Sequence, residues 1–168
     1  KVGDELYLEK IPYGYLTLAR YQLPLPQDLW LLGTGTGLAP FLSMLQDFET
    51  WNNYKQINLV YSVRTQAELA YVERIQEIAE SFGEGHSGFK FIPIITRDPE
   101  AALHDRLPVL IANGELEKAA AMQLNPETSH VMLCGNPDMV EDTKEALKAR
   151  GLTMNRRGEG NIAVENYW

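Results

Sequence analysis

Leu29-Trp30-Leu31-Leu32 is an unbroken apolar run that stops at Gly33 and gives way to helical spacing over residues 38–48. A strand that is apolar at every position has no face to offer water. It must be covered on both sides, which is the condition of a parallel sheet sandwiched between helices. The alternation then recurs: strand patterns over 57–63, 89–96 and 130–134, helical patterns over 66–82, 103–121 (broken) and 138–150, and a fifth strand pattern over 161–165. Strands alternating with helices predict a doubly wound α/β domain with a five-stranded parallel sheet and right-handed crossovers. Residues 83–88 read as a loop.

The beginning of the chain has a different texture. Residues 2–9 and 13–18 alternate apolar and polar side chains around Pro12 and Gly14, a pattern expected of short antiparallel strands with one solvated face. Pro24 and Pro26 then interrupt both ladders and helices, so residues 20–28 read as an extended linker. The expected organisation is therefore the end of a barrel plus linker over 1–24 and the α/β domain over 25–168. Because Lys1 leads straight into a strand-like pattern, the chain is expected to be truncated at its N-terminus.

With 168 residues and 45% hydrophobic content the chain can bury a core, and its net charge of -8 disfavours nucleic acid, whose phosphates nothing would neutralise. The apolar runs are too short to span a bilayer and no signal-like segment opens the chain, so a cytoplasmic location is expected. The lone cysteine, Cys134, excludes an internal disulfide, and the three histidines have no metal-ligand spacing, so no metal site is expected.

Chemistry is concentrated at the ends of the predicted strands. Gly33-Thr34-Gly35-Thr36-Gly37-Leu38-Ala39-Pro40 links the first strand to its helix, where backbone N–H groups and the helix dipole favour a phosphate. It lacks the Gly-Lys-Ser/Thr ending of a Walker loop, and Pro40 stands where the dinucleotide fingerprint has its last glycine. A tight turn with no ligand would use the same glycines. After the second strand, Arg64 takes the position where an NAD-specific fold places an acid against the ribose hydroxyls, which points to a 2'-phosphate and hence to NADP. Arg97 and Arg106 follow the third strand. Each alone could be a solvated surface residue, whereas three at one sheet edge form a pattern. Cys134-Gly135-Asn136-Pro137-Asp138-Met139 closes the fourth strand; the thiol either faces the crevice or is a small core residue, and Gly135 would let a flat ring approach the backbone. The terminal Tyr167 and Trp168 should cover something flat, either a ligand or the protein's own surface.

In their order and spacing these residues resemble the ferredoxin-NADP reductase family, in particular its bacterial branch with an aromatic tail ending in tryptophan; the resemblance runs from about Val2 to Trp168. It implies an FAD-dependent oxidoreductase that moves a hydride between NADPH and flavin and exchanges single electrons with ferredoxin or flavodoxin. It further implies that Gly33, Thr34, Gly35, Thr36 and Gly37 hold the NADP pyrophosphate, with Thr36 approaching the flavin. Arg64, Arg97 and Arg106 correspond to the residues that take the 2'-phosphate. Cys134, Gly135, Asn136, Asp138 and Met139 lie in the segment whose cysteine sits beside nicotinamide. Tyr167 and Trp168 pack on FAD, Trp168 over the isoalloxazine as a gate against nicotinamide. Glu165 is a positional counterpart of a proton-handling glutamate. A monomer is expected. Two other readings share the fold: the reductase part of an oxygenase or flavohaemoglobin, and a non-enzymatic NADP sensor, which would have no use for the aromatic tail.

The family's arginine-aromatic-serine flavin motif and its FAD-pyrophosphate loop do not occur in these residues. The purified chain is therefore expected to be colourless, and a stable yellow preparation with flavin absorbance would contradict that expectation.

Overall fold

The computed structural model describes residues 2–5, 7, 10–11, 14–21, 27–83 and 88–166. Five parallel strands, β1 (Asp28–Thr34), β2 (Gln56–Val63), β3 (Gly88–Ile95), β4 (Ser129–Gly135) and β5 (Ile162–Asn166), form one sheet in the order β3-β2-β1-β4-β5. This is the doubly wound fold expected from the apolar runs. Strand periodicity splits β1 between two cores: Leu29 and Leu31 enter one, Trp30 and Leu32 the other, all fully buried.

The first core is closed by α1 (Leu38–Leu45), α2 (Phe48–Asn53) and α3 (Val72–Gly83); the second by α4 (Leu107–Ala112), α5 (Glu115–Ala120) and α6 (Pro137–Ala149). The chain steps from β1 out to β3 with helices on the first face, then returns past β1 to β4 and β5 with helices on the second. Reversing direction and face together keeps every crossover the same hand. Among the described residues no helix is long and apolar enough to cross a membrane.

Three local departures from the sequence pattern have identifiable causes. The helical run over 38–48 breaks because Asp47 caps a new helix, its carboxylate accepting the Glu49 N–H at 2.9 Å; the buried Trp51 indole then donates to the Leu45 carbonyl at 2.8 Å and pins the corner. The run over 66–82 becomes helix only at Val72. Residues Gln66–Glu68 form a 3-10 turn, Tyr71 has φ 64°, and the Glu68 carboxylate turns back to accept the Arg64 N–H at 3.0 Å, a local side-chain bond that competes with helix formation. The broken run over 103–121 divides at Asn113-Gly114, where Gly114 takes φ 80°.

Ahead of β1, no described residue of the two expected antiparallel strands is in a strand, and Leu18–Arg20 forms a 3-10 turn. An antiparallel strand needs a ladder partner, and alternation alone does not provide one. Leu16 and Tyr21 instead bury themselves in the first core. The Tyr21 hydroxyl donates to the Val131 carbonyl at 2.9 Å and its ring stacks on His130 at 3.5 Å between centroids. The Asn155 amide donates to the Arg20 carbonyl at 3.2 Å. The segment before β1 is thus fastened to β4 and to the loop that follows α6.

His130 is held between two tyrosines, with its Nδ1 3.0 Å from the Tyr54 hydroxyl, and burial lowers its pKa to about 4. In the unfolded chain it titrates near 6.5, so between pH 6.5 and 4 the unfolded state binds the extra proton and stability falls as pH falls. Buried Asp28, whose carboxyl accepts from Trp30 and Ser129, is pushed up by desolvation and acts in the opposite direction. Comparing wild type with His130→Gln isolates the histidine: between pH 7 and 4, wild type is expected to lose on the order of 2 kcal/mol more in urea unfolding than the variant. Equal pH slopes would show that His130 is protonated in the folded protein.

Candidate functional site

Because all five strands run the same way, their carboxyl ends share one edge, and the order reverses there between β1 and β4. This is the crevice in which open α/β sheets bind ligands. Gly35–Gly37 forms a tight 3-10 turn leading directly into α1, whose first turn carries no acidic residue, so its N–H groups and dipole face the crevice without a competing anion. The turn is pressed against β4. A Cβ on Gly37 would lie 2.1 Å from the Cys134 carbonyl oxygen, and one on Gly135, which has φ 140°, 2.2 Å from the Thr34 hydroxyl. Thr34 completes the junction by accepting the Asn136 N–H at 3.2 Å.

A cleft of about 950 Å³ opens along this edge. One wall is Thr34, Gly35 and Thr36; the second carries Arg64, Arg97 and Arg106 from the ends of β2 and β3 and the start of α4; the third is Asn136, Asp138 and Met139. Main-chain bonds hold the arginine wall together: the Thr96 N–H donates to the Val63 carbonyl at 2.9 Å and the Arg97 N–H to the Arg64 carbonyl at 2.8 Å. The three guanidinium groups differ in their partners. Arg64 forms a two-pronged ion pair with Glu68, NH2 to Oε1 at 2.6 Å and Nε to Oε2 at 3.2 Å, which raises the guanidinium pKa and lowers the carboxyl pKa. Among the described residues neither Arg97 nor Arg106 has an acidic side-chain partner, and both are exposed. Two uncompensated cations beside a third form a seat suited to a doubly charged anion.

The third wall is built differently. Asn136 spends its side chain on α6, its Oδ1 accepting the Asp138 and Met139 N–H groups at 3.0 and 3.3 Å, while Thr143 donates to the Met139 sulfur at 3.4 Å. Asp138 sits in the first turn of α6 and already complements that helix dipole. A phosphate is therefore better received at α1 than at α6.

Gly33, Gly37 and Gly135 are buried behind the cleft surface and shape it. Cys134 does not reach the cleft. It is fully buried in the first core, and burial, with a smaller contribution from Glu165, pushes its thiol up to about 12. Of the two placements that the sequence left open, Cys134 takes the core position. Glu165 is the register neighbour of Cys134 on β5, half-buried, with Oε1 close to Gly14. Tyr167 and Trp168 lie outside the described residues.

The cleft also includes residues that the strand-end motifs did not single out as ligand residues: Ser62, Glu68, Thr96, His104 and Asp142. His104 has its Nδ1 3.1 Å from the Ala101 carbonyl, which fixes that nitrogen as the donor. Ser62, Thr96 and His104 stand within two positions of the arginines, so the strand-end rule reaches them. Asp142, one turn into α6, was not visible that way.

Comparison with known proteins agrees with this geometry. The family model for the oxidoreductase NAD-binding domain matches residues 31–145. A flavodoxin/ferredoxin–NADP reductase of Buchnera aphidicola (from Schizaphis graminum) is 39% identical over all of this chain and 65% of its own length. The Escherichia coli protein of that name is likewise 39% identical, over all of this chain and 67% of its own. A crystal structure of a ferredoxin NADP+ reductase from Neisseria gonorrhoeae with bound FAD and NADP superposes with a TM-score of 0.80 at 37% identity, covering 92% of this chain and 61% of that one. The chain thus spans about two thirds of the length of the curated relatives it matches.

Replacing Gly37 by alanine places a methyl group against main chain, which cannot swing aside as a side chain could. The variant is expected to lose about 2–4 kcal/mol in urea unfolding. Wild-type stability would mean that the β1–β4 junction is looser than described.

Proposed function

Since the chain belongs to the flavodoxin/ferredoxin–NADP reductase family through its oxidoreductase NAD-binding domain, we propose that it is the NADP(H)-binding half of such an enzyme, which uses FAD and exchanges electrons with ferredoxin or flavodoxin. The supporting observation is the convergence, on one cleft at the reversal of strand order, of the glycine turn at α1 and three arginines of which two lack an acidic partner among the described residues. The names carried by sequence relatives at 39% identity favour this reading over an oxygenase reductase, a flavohaemoglobin or a non-enzymatic sensor.

The residues fit a pyridine dinucleotide phosphate. Gly35, Thr36 and Gly37 offer N–H groups and the α1 terminus to its diphosphate, and the bare Cα of Gly37 lets this turn sit directly against the end of β4. Arg64, Arg97 and Arg106 receive the 2'-phosphate, and this selects NADP over NAD. Asp138 and Asp142 line the opposite wall, while Glu68 and Asp105 stand among the arginines, so the cationic surface offered to a phosphate is confined to the guanidinium groups themselves. When bound, the nicotinamide supplies or accepts a hydride and the flavin divides the electron pair into single steps. Gly135 allows Thr34 to close against the end of β4, beside the place where the family resemblance puts the nicotinamide ring. Cys134, with its thiol held protonated, is a neutral packing group beneath that position, neither nucleophile nor base. Glu165, beside it in the sheet, is the candidate for handling a proton. Tyr167 and Trp168 take the flavin-stacking and gating roles that the family resemblance implies. A cytoplasmic monomer is part of the same reading; a free cysteine suits a reducing compartment.

Calorimetric titration with 2'-phospho-AMP and AMP tests the nucleotide site without flavin. Wild type should prefer the 2'-phosphate, and Arg64→Ala, Arg97→Ala and Arg106→Ala should each weaken it by about tenfold while leaving AMP within about twofold, as expected for loss of one charge-assisted contact. Equal affinity of the wild type for the two ligands would refute an NADP-selective site.

A further inference from the structure

Among the described residues, Arg64 is the one arginine of the cleft that already has an anion. Glu68 grips its guanidinium at two nitrogens and accepts its backbone N–H as well, so one carboxylate serves the group by three bonds. The pairing is built by the local fold: the 3-10 turn Gln66–Glu68, closed by the Glu68 N–H donating to the Thr65 carbonyl at 3.0 Å, brings residue 68 back over residue 64. Both side chains border the cleft, with 65% of Arg64 and 37% of Glu68 exposed.

A phosphate on Arg64 would need the guanidinium prongs that Glu68 now occupies. A dianion and a carboxylate sharing one guanidinium repel, so the phosphate either displaces Glu68 or binds at a lasting disadvantage. Displacement is feasible because an exposed ion pair is weak and its members readily exchange partners with water. Arg97 and Arg106 have no such internal competitor among the described residues.

We infer that Glu68 is a specificity-setting residue: its carboxylate occupies the Arg64 guanidinium as an internal stand-in for the 2'-phosphate, so that NADP(H) must exchange with it on binding and is released more readily when it leaves. The inference rests on the reading of Arg64 as a 2'-phosphate residue. It assigns Glu68 the function of moderating affinity, limiting the advantage that three arginines would otherwise give the phosphorylated nucleotide. Glu68 also orders Arg64 at the cleft mouth when no nucleotide is bound.

The test is calorimetric titration of the chain with 2'-phospho-AMP and with AMP, in wild type, Glu68→Gln, Glu68→Asp and Arg64→Ala. Glutamine keeps the shape and an acceptor for the Arg64 N–H while removing the charge. Glu68→Gln should bind 2'-phospho-AMP about two- to fivefold more tightly than wild type, the change that corresponds to freeing one exposed ion pair, with AMP unchanged. Glu68→Asp, which keeps the charge, should stay close to wild type. Unchanged or weaker 2'-phospho-AMP binding in Glu68→Gln, with Arg64→Ala still impaired, would overturn the inference and leave the NADP site standing. A wild-type chain with no preference for 2'-phospho-AMP would remove the NADP reading, and the inference with it.

Discussion

The contact between the first glycine turn and the end of β4 is the constraint on which the rest of the molecule depends. Gly37 lies against the Cys134 carbonyl, Gly135 against Thr34, and the Thr34 hydroxyl receives the Asn136 N–H. Each of these contacts excludes a side chain, and together they join the two central strands where their order reverses. Were the junction wider, the α1 terminus would no longer face the crevice, and the arginine wall and the α6 wall would lose their common edge. The same closeness seals Cys134 into the core and leaves its thiol protonated.

Covering the sheet on both faces removes the middle of the strands from solvent. With Leu29 and Leu31 committed to one core and Trp30 and Leu32 to the other, β1 can contribute to a ligand site only at its end, where Thr34 borders the cleft. The distribution of charge there matters more than the acidic total of the chain. Three arginines stand on one wall with Glu68 and Asp105 among them, Asp138 and Asp142 on the opposite one, and the glycine turn between them brings a helix terminus with no acidic residue in its first turn.

Ahead of β1 the polypeptide is fastened to the domain rather than trailing from it. Tyr21 stacks on His130 and bonds to β4, Leu16 shares the first core, and Asn155 holds the Arg20 carbonyl. Tyr21 makes its contact near the start of β4, at His130, while Gly14 lies close to Glu165, the neighbour of Cys134 near the carboxyl end of the sheet. The alternation of residues 2–9 and 13–18 was legible, but an alternating segment becomes a strand only with a partner, and the ladder that would provide one is not among the described residues.

Sequence and tertiary structure divided the rest along a physical line. Continuous apolar runs such as Leu29 to Leu32, and helical spacing such as that of α6, follow from burial along the chain itself, so the sheet, its helices and the position of the glycine turn could be read without coordinates. So could the placing of Arg64 and Arg97 at strand ends, because parallel strands share an edge; Arg106 reaches the same edge from the start of α4. Local side-chain bonds to backbone were harder to read: Asp47 starting α2 and Glu68 delaying α3 each reverse a periodic pattern with a single carboxylate. Only the tertiary structure decided that Cys134 faces the core, that Asp142 joins the cleft, and that Arg64 is already paired while, among the described residues, Arg97 and Arg106 have no acidic partner. These depend on distances between groups far apart in sequence or on the orientation of one side chain, and neither periodicity nor composition carries that information.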